Sequence, residues 1–336
     1  MEYVTLGKTG LTVSRLGFGG IPIQRIDADA AKELMDAVRA AGINYIDSAR
    51  AYTVSEELIG EAIEGHRHEF VLATKTMARD KAGAAADIDL SLKNLRTDYI
   101  DLYQIHNPSL AQLEQVCAEG GAWEALMEAK AAGKIRHLGV TAHALEVFRA
   151  ALDLPWVETI MFPYNIVENQ GEDLMALAQE RNIGFIVMKP MAGGAIEDGR
   201  LAMRYIGTNP YVTVVIPGMY SPQEVSENTA AMEDTSPLSA EELAKLESIR
   251  QELGTRFCRR CGYCAPCAVG IQISLSFILD GYLNRYGLEN WARQRYEALP
   301  VKPDACIECG ACEARCPYQL PIREMLKQVA RNFNRK

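Results

Sequence analysis

Eight cysteines in the last quarter of the chain stand at spacings that suit metal ligation. Four fall at 258, 261, 264 and 267 in RFCRRCGYCAPCAVGI, and four at 306, 309, 312 and 316 in DACIECGACEARCPYQLPI. Thiolates at three-residue spacing wrap one face of a polynuclear iron–sulfur cluster, while a fourth ligand reaches away, to the other cluster where there are two. Zinc sites usually use two separated cysteine pairs, whereas each group here is a run of four. The ninth cysteine, Cys117, stands alone in AQLEQVCAEGG and reads as an ordinary thiol.

A second set of reactive residues lies upstream. Asp47, Lys75 and His106 fall in or at the ends of the apolar runs NYIDSA (44–49), FVLATK (70–75) and YIDLYQIHN (99–107), and Tyr52 follows Asp47 by five residues. A tyrosine hydroxyl, with a pKa near 10, is a poor acid at neutral pH. A neighbouring ammonium favours the phenolate and lowers that pKa. Lys75 is the candidate ammonium, with Asp47 pinning it in place, and His106 is the candidate for hydrogen-bonding and orienting a carbonyl. The set makes a proton donor for carbonyl reduction, the hydride coming from elsewhere. Ion pairs and structural histidines explain any one of these residues; four at one place argue for catalysis.

The elements that must bring them together alternate. Besides the three runs above, strands are predicted at RLGFGG (15–20), IRHLGVTA (135–142), TIMFPYN (159–165), GFIVMKP (184–190) and VTVVIPG (212–218). Amphipathic helices separate them. In DADAAKELMDAVRAAG the apolar residues recur at helical spacing, with Gly42 as the stop. SEELIGEAI places Ser55 as an N-cap, followed by two glutamates where the helix dipole favours anions. Eight strand–helix units in a few hundred residues predict an α/β fold, a closed (β/α)8 TIM barrel, whose working residues sit at the C-terminal ends of strands. An open doubly wound sheet would need Gly-x-Gly-x-x-Gly after its first strand, and GFGGIPI lacks that spacing. YVTLGKTGLTVS predicts a hairpin plugging the barrel bottom. A helix over 239–253, capped by Ser239, precedes a change of composition near Gly254. The expected domains are therefore a barrel over 1–254 and a small, mostly helical metal domain over 255–336, with a helical stretch at about 273–298.

Charge is uneven. Residues 1–255 hold 22 Lys+Arg against 37 Asp+Glu, and residues 256–336 hold 13 against 7. A basic tail raises nucleic acid as a partner, but cations that offset thiolate-bound clusters account for it more simply, and no nucleic-acid role is expected. Arg256, Arg259 and Arg260 are the nearest such cations in sequence. No apolar run reaches 18 residues, so no membrane partner is expected. The start, MEYVTLGKTG, has no secretory pattern, and clustered cysteines more often hold metal than form disulfides in the reducing cytoplasm, the expected location.

From Tyr3 to about Met232 the chain resembles the aldo-keto reductase family, through LGKTGLTVSRLGFGG, DSARAYTVSEELIGEAI, VLATK, DLYQIHNP and IPGMYSPQEVSEN. The family's Asp, Tyr, Lys and His tetrad falls on Asp47, Tyr52, Lys75 and His106. The resemblance implies NAD(P)H bound at the barrel mouth and reversible interconversion of a small carbonyl compound and its alcohol, with Tyr52 as general acid. Implied cofactor contacts are Gly19 and Asp47 near the first two strands, and Asn165, Met188 and Lys189 after the sixth and seventh. Ile216, Gly218, Met219 and Ser221 follow at the eighth, with Gln223, Glu224, Glu227 and Asn228 on the next helix. There are departures. Thr141–Ala142 stands where Ser-Asn is frequent, and Met188 where a tyrosine often stacks on the nicotinamide. Gly218, Tyr220 and Glu224 replace frequent basic residues at the adenosine phosphate, so NADH is expected to serve at least as well as NADPH.

Cys306-x2-Cys309-x2-Cys312-x3-Cys316-Pro317 matches the bacterial ferredoxin run. The first group nearly repeats it, with a last gap of two residues and Ala268 in place of proline. Two [4Fe-4S] clusters are expected: one on Cys258, Cys261, Cys264 and Cys316, the other on Cys306, Cys309, Cys312 and Cys267. The helical spacer resembles helical dicluster ferredoxin modules. A nicotinamide gives up two electrons as a hydride whereas a cluster takes one at a time, and no flavin signature links them. The clusters then hold the shape of the tail, or exchange electrons with a redox protein partner or the substrate. The alternative is an electron-transfer or redox-sensing protein whose barrel does not reduce carbonyls.

Overall fold

The computed structural model describes residues 1–335. The first element is an antiparallel hairpin of β1 (Tyr3–Thr5) and β2 (Thr12–Ser14). Eight parallel strands follow: β3 (Phe18–Gly19), β4 (Tyr45–Asp47), β5 (Val71–Thr76), β6 (Ile100–His106), β7 (Ile135–Thr141), β8 (Thr159–Pro163), β9 (Gly184–Met188) and β10 (Val214–Ile216). They pair in chain order from β3 to β10. The ends then meet: Gly17 N donates to Val215 O at 2.8 Å and Gly19 N to Pro217 O at 2.9 Å, closing the barrel. All eight expected strands are present within their expected segments, except that β5 runs one residue further, to Thr76.

Sequence explains the closure locally. β-strands β4 to β10 are buried almost throughout, as strands covered on both faces must be. The hairpin lies under them: Leu6 and Val13 join Tyr45, Leu102, Met161, Ile186 and Val214 in one buried layer. The approach is close enough to demand glycine. Gly7 has φ +51°, and a Cβ there would meet Gly184 N at 2.2 Å.

Two helix starts bear on the site. The helix Ala28–Ala40 is capped by Asp27, and Gly42 ends its turn at φ +75°. Ser55, expected as a cap, is instead the first residue of the helix Ser55–Ala62, after Val54. Its buried hydroxyl donates to Gly20 O at 2.9 Å and pairs with Ser48 Oγ, so it ties the loop carrying Tyr52 to the end of β3. A capping residue and a loop tie look alike in sequence.

The chain divides into two units: Met1–Pro190 with Gly199–Leu238, and Met191–Asp198 with Ser239–Lys336. The division falls at Ser239, earlier than the change of composition near Gly254. The helix Ala240–Gly254, with a Ser239–Glu242 capping box, goes with the second unit, as does the segment 191–198. Lys245 pairs with Asp198 at 2.5 Å, and Arg285 donates to Gly193 O at 2.9 Å, which is why those residues segregate together. In the second unit the helices Ile273–Asn284, Glu289–Glu297 and Ile322–Asn334 enclose two apolar clusters. Tyr296 stacks on Phe333 with centroids 3.9 Å apart. No described helix is long and apolar enough to cross a membrane.

Candidate functional site

Four side chains meet at the C-terminal ends of β4, β5 and β6. Lys75 is wholly buried, and its ammonium donates to Asp47 Oδ1 at 2.5 Å and to the Ser48 carbonyl at 2.6 Å. It also lies 4.9 Å from the centre of the Tyr52 ring. The Tyr52 and His106 rings meet edge to face with centroids 5.9 Å apart. The structure thus brings Asp47, Tyr52, Lys75 and His106 together.

Burial sets the electrostatics. It pushes the Asp47 carboxyl up and the Lys75 ammonium down, and each opposes the shift of the other by attraction and a charge-assisted hydrogen bond. Buried Glu56 is a further anion favouring the charged Lys75. It accepts from Thr74 and Ser91 at 2.7 Å each and from Arg50, which places Arg50 between Glu56 and Asp87 and steadies the loop before Tyr52. Burial, with the charges of Lys75, Arg79 and Lys189, lowers the His106 pKa to about 3. His106 is therefore neutral at working pH, able to donate one hydrogen bond without a formal charge. Accordingly, kcat/KM followed from about pH 5 to 8 is expected to show no protonation step that disappears in His106→Gln; a step near 6.5 removed by that substitution would contradict a neutral His106. The depressed value also makes the unfolded chain bind the extra proton first, so His106 lowers stability as pH falls from about 6.5 toward 3.

Some participants are absent from the sequence reading. Gln104 Nε2 donates to Asp47 Oδ2 at 3.2 Å. It lies two residues before His106 on β6, opposite Lys75 in the strand register, so strand periodicity was the available signal. Arg79, after β5, donates to the His106 carbonyl at 2.8 Å; nothing local in sequence marks it.

The expected cofactor residues separate into groups. Gly19 and Gly218 lie side by side, and exposed Gly218 leaves a space that a Cβ would close against Pro22 at 2.7 Å. Ser221 caps the helix Pro222–Glu233, accepting from Glu224 N, and Val225 N donates to the Ser221 carbonyl, so at the helix start the Gln223 amide is the one left to meet a ligand. Gln223 donates to Glu227 one turn on, and Asn228 to the Glu224 carbonyl. Met219 is fully buried, leaving only its backbone to approach a ligand, and Ile216 is buried in the barrel layer. Met188 ends β9, and Lys189 follows at φ +57°.

Two structural features bear on the expected cofactor contacts. Asn165 is fully buried and every bonding position is filled: Oδ1 accepts from the amides of Val167 and Glu168, and Nδ2 donates to Glu168 Oε2 and the Lys189 carbonyl. It fixes the backbone of Lys189. The adenosine region also has a cation after all. Arg25 lies over the Tyr220 ring at 4.2 Å and attracts Glu224, whose carboxyl is raised chiefly by burial. Arg25 comes from the one-turn helix Pro22–Arg25, far from Tyr220 in sequence.

The cysteines gather within the second unit. Cys267, Cys306, Cys309 and Cys312 line one hollow, with Arg315 and Arg323 at its wall. Cys258, Cys261, Cys264 and Cys316 are electrostatic neighbours: Cys258 feels Cys264 and Cys261, and Cys261 feels Cys264 and Cys316. Burial and mutual repulsion raise the Cys258 thiol to about 11, and Cys261 is raised by the same causes; burial, with the charges of Glu313 and Cys306, raises Cys312. Thiols held this close resist ionising together unless a multivalent cation sits among them, and the all-sulfur donor set suits iron–sulfur. Among the described residues, no three donors converge as one metal ion requires. Cys258 receives partial compensation from Arg260, while Arg259 stacks on Tyr318 at 4.0 Å. Cys117 is exposed.

A model of the aldo/keto reductase family matches residues 15–201. The chain belongs to the aldo/keto reductase family. A 4Fe-4S dicluster domain matches residues 257–321. L-galactose dehydrogenase of Arabidopsis thaliana is 28% identical over 304 residues, 74% of this chain and 94% of its own length. Aldo-keto reductase YhdN of Bacillus subtilis is 33% identical over 229 residues, 61% of this chain and 66% of its own. The holo form of aldo-keto reductase AKR11C1 from Bacillus halodurans superposes with a TM-score of 0.65 at 28% identity, covering 74% of this chain and 96% of that one. The family and its named relatives make an oxidoreductase the class of this chain.

Proposed function

We propose that the barrel is an NAD(P)H-dependent carbonyl reductase, interconverting a carbonyl compound and its alcohol with Tyr52 as the general acid. The observation that carries this reading is the buried Lys75 ammonium, pinned by Asp47 at 2.5 Å and set 4.9 Å from the Tyr52 ring. A neighbouring cation helps a phenol release its proton, because it stabilises the phenolate left behind. Neutral His106 donates to the substrate carbonyl and fixes its oxygen near the Tyr52 hydroxyl. The phenolic proton passes to that oxygen, and water returns a proton to the phenolate.

When bound, the nicotinamide supplies the hydride that the carbonyl carbon gains, two electrons in all. Met188 and Lys189 would hold its nicotinamide end. Gly218, Ser221, Glu224, Asn228 and Arg25 would hold its adenosine end, where an open glycine, a capped helix start and a guanidinium suit a phosphate-bearing group.

For the second unit we infer two [4Fe-4S] clusters, one on Cys267, Cys306, Cys309 and Cys312, the other on Cys258, Cys261, Cys264 and Cys316. The lining of the hollow and the neighbouring thiols support that division. Bound clusters supply rigid cross-links and single-electron chemistry. Anaerobically purified protein is expected to hold about eight iron and eight labile sulfide per chain; about four of each means one cluster, and stoichiometric zinc overturns the assignment.

The reductase reading is tested with a panel of carbonyl compounds, following loss of reduced cofactor. Turnover with none of them, in protein carrying its full iron, favours the redox-subunit alternative.

A further inference from the structure

Arg79 is the least explained charge in the barrel. It is only 8% exposed, in the loop after β5. Its guanidinium donates to two backbone carbonyls, Ala78 at 3.3 Å and His106 at 2.8 Å, while Nε is buried without a partner. Among the described residues no carboxylate pairs with it, and those at the end of β4, in its own loop and on the following helix are committed elsewhere. Asp47 holds Lys75 and Gln104; Asp80 caps Gly83; Asp87 accepts from Thr76 and faces Arg50. Arginine cannot shed its charge to relieve burial, and an unpaired buried ion is costly.

His106 lies among these charges. Lys75, Arg79 and Lys189 all bear on its ring, and His106 Nδ1 is buried without a partner. Asp47 offsets Lys75, whereas the buried guanidinium of Arg79 meets only carbonyls and leaves Nε unpartnered, an arrangement that suits an anion. The cofactor is not the obvious owner of Arg79. Most of its expected contacts lie on β3, β9, β10 and the helix after them, with Asp47 on β4 and Asn165 after β8, whereas β5, which Arg79 follows, lies across the barrel from β9 in the strand order.

We propose that Arg79 is the carboxylate-binding residue of the substrate site, so that the preferred substrates are carbonyl compounds bearing a carboxylate. The inference rests on the reductase reading of the same site. Guanidinium and carboxylate match as a planar fork, which also fixes how the substrate carbonyl presents itself to Tyr52 and His106.

The test compares 4-carboxybenzaldehyde and succinic semialdehyde with their methyl esters in the iron-loaded protein. At least one acid is expected to exceed its ester in kcat/KM by about thirtyfold or more. Arg79→Met collapses that ratio to near one and Arg79→Lys keeps part of it. The acid-to-ester ratio cancels any loss of folded protein. Both acids within threefold of their esters in the unmodified protein overturns the proposal. A binding arm separates it from the reductase reading: 4-(hydroxymethyl)benzoate and its methyl ester are titrated into protein saturated with oxidised cofactor. Tenfold tighter binding of the acid, lost in Arg79→Met, without reduction of any aldehyde, keeps the anion site and sinks the reductase reading. Equal binding of acid and ester sinks the anion site.

Discussion

Replacing Tyr52 by phenylalanine is expected to lower kcat and kcat/KM together by about 10²- to 10⁴-fold, the usual contribution of a positioned general acid. The substitution removes one oxygen and leaves the ring. The edge-to-face packing against His106 and the Lys75 ammonium at the ring face both survive it. Cofactor affinity and thermal midpoint should therefore stay close to those of the unmodified protein. Equal falls in kcat and kcat/KM mark an interaction made only in the transition state. A loss confined to KM, or a kcat within tenfold of the original, would remove Tyr52 from the proton transfer.

The second large effect is Lys75→Met, and it reaches stability as well as rate. The ammonium has two close acceptors, Asp47 and the Ser48 carbonyl, and sits near Glu56. Its removal leaves Asp47 buried with only Gln104 beside it. Breaking a buried pair in this way costs about 3–5 kcal/mol, most of it the stranded charge. The sign of the pH dependence follows from Asp47. Burial already raises its pKa, and losing Lys75 raises it further. A carboxyl raised in the folded state stabilises at low pH, and that stability is lost as pH rises through the folded value. Urea unfolding should therefore show a larger deficit for Lys75→Met at pH 8 than at pH 5. Adding Asp47→Asn should recover part of it, because the stranded charge is gone. A deficit independent of pH, unrelieved in the double variant, would mean that Asp47 and Lys75 do not act as a pair.

What could be read from the sequence was what depends on neighbours in the chain. Alternating apolar runs and helices specify the barrel, and strand ends specify its mouth, so Asp47, Lys75 and His106 were visible as a group. Tyr52 was visible because it follows Asp47 on one short loop. What depended on distant chain was not visible. Arg25 reaches Tyr220 only through barrel closure between β3 and β10. Arg79 looks like any surface-loop arginine until β6 places the His106 carbonyl against it. Asn165 was visible as a polar residue at a strand end, but not that its own loop and Lys189 would take four side-chain hydrogen bonds from it. The compact units divide away from the change of composition for a related reason. The cysteines change the composition at 258, but the helix Ala240–Gly254 and the segment 191–198 segregate by packing and ion pairs that composition does not record.

The central claim is that a hydride goes directly to a carbonyl carbon while Tyr52 supplies the proton. It is tested most directly by single turnover with nicotinamide cofactor deuterated at C4 and a reducible aldehyde, followed by mass spectrometry of the alcohol. The account predicts one deuterium on the carbinol carbon per cofactor oxidised, with the product-forming step slowed in Tyr52→Phe. Alcohol formed without deuterium, or cofactor oxidised without alcohol, would contradict it and shift the function to the iron–sulfur unit.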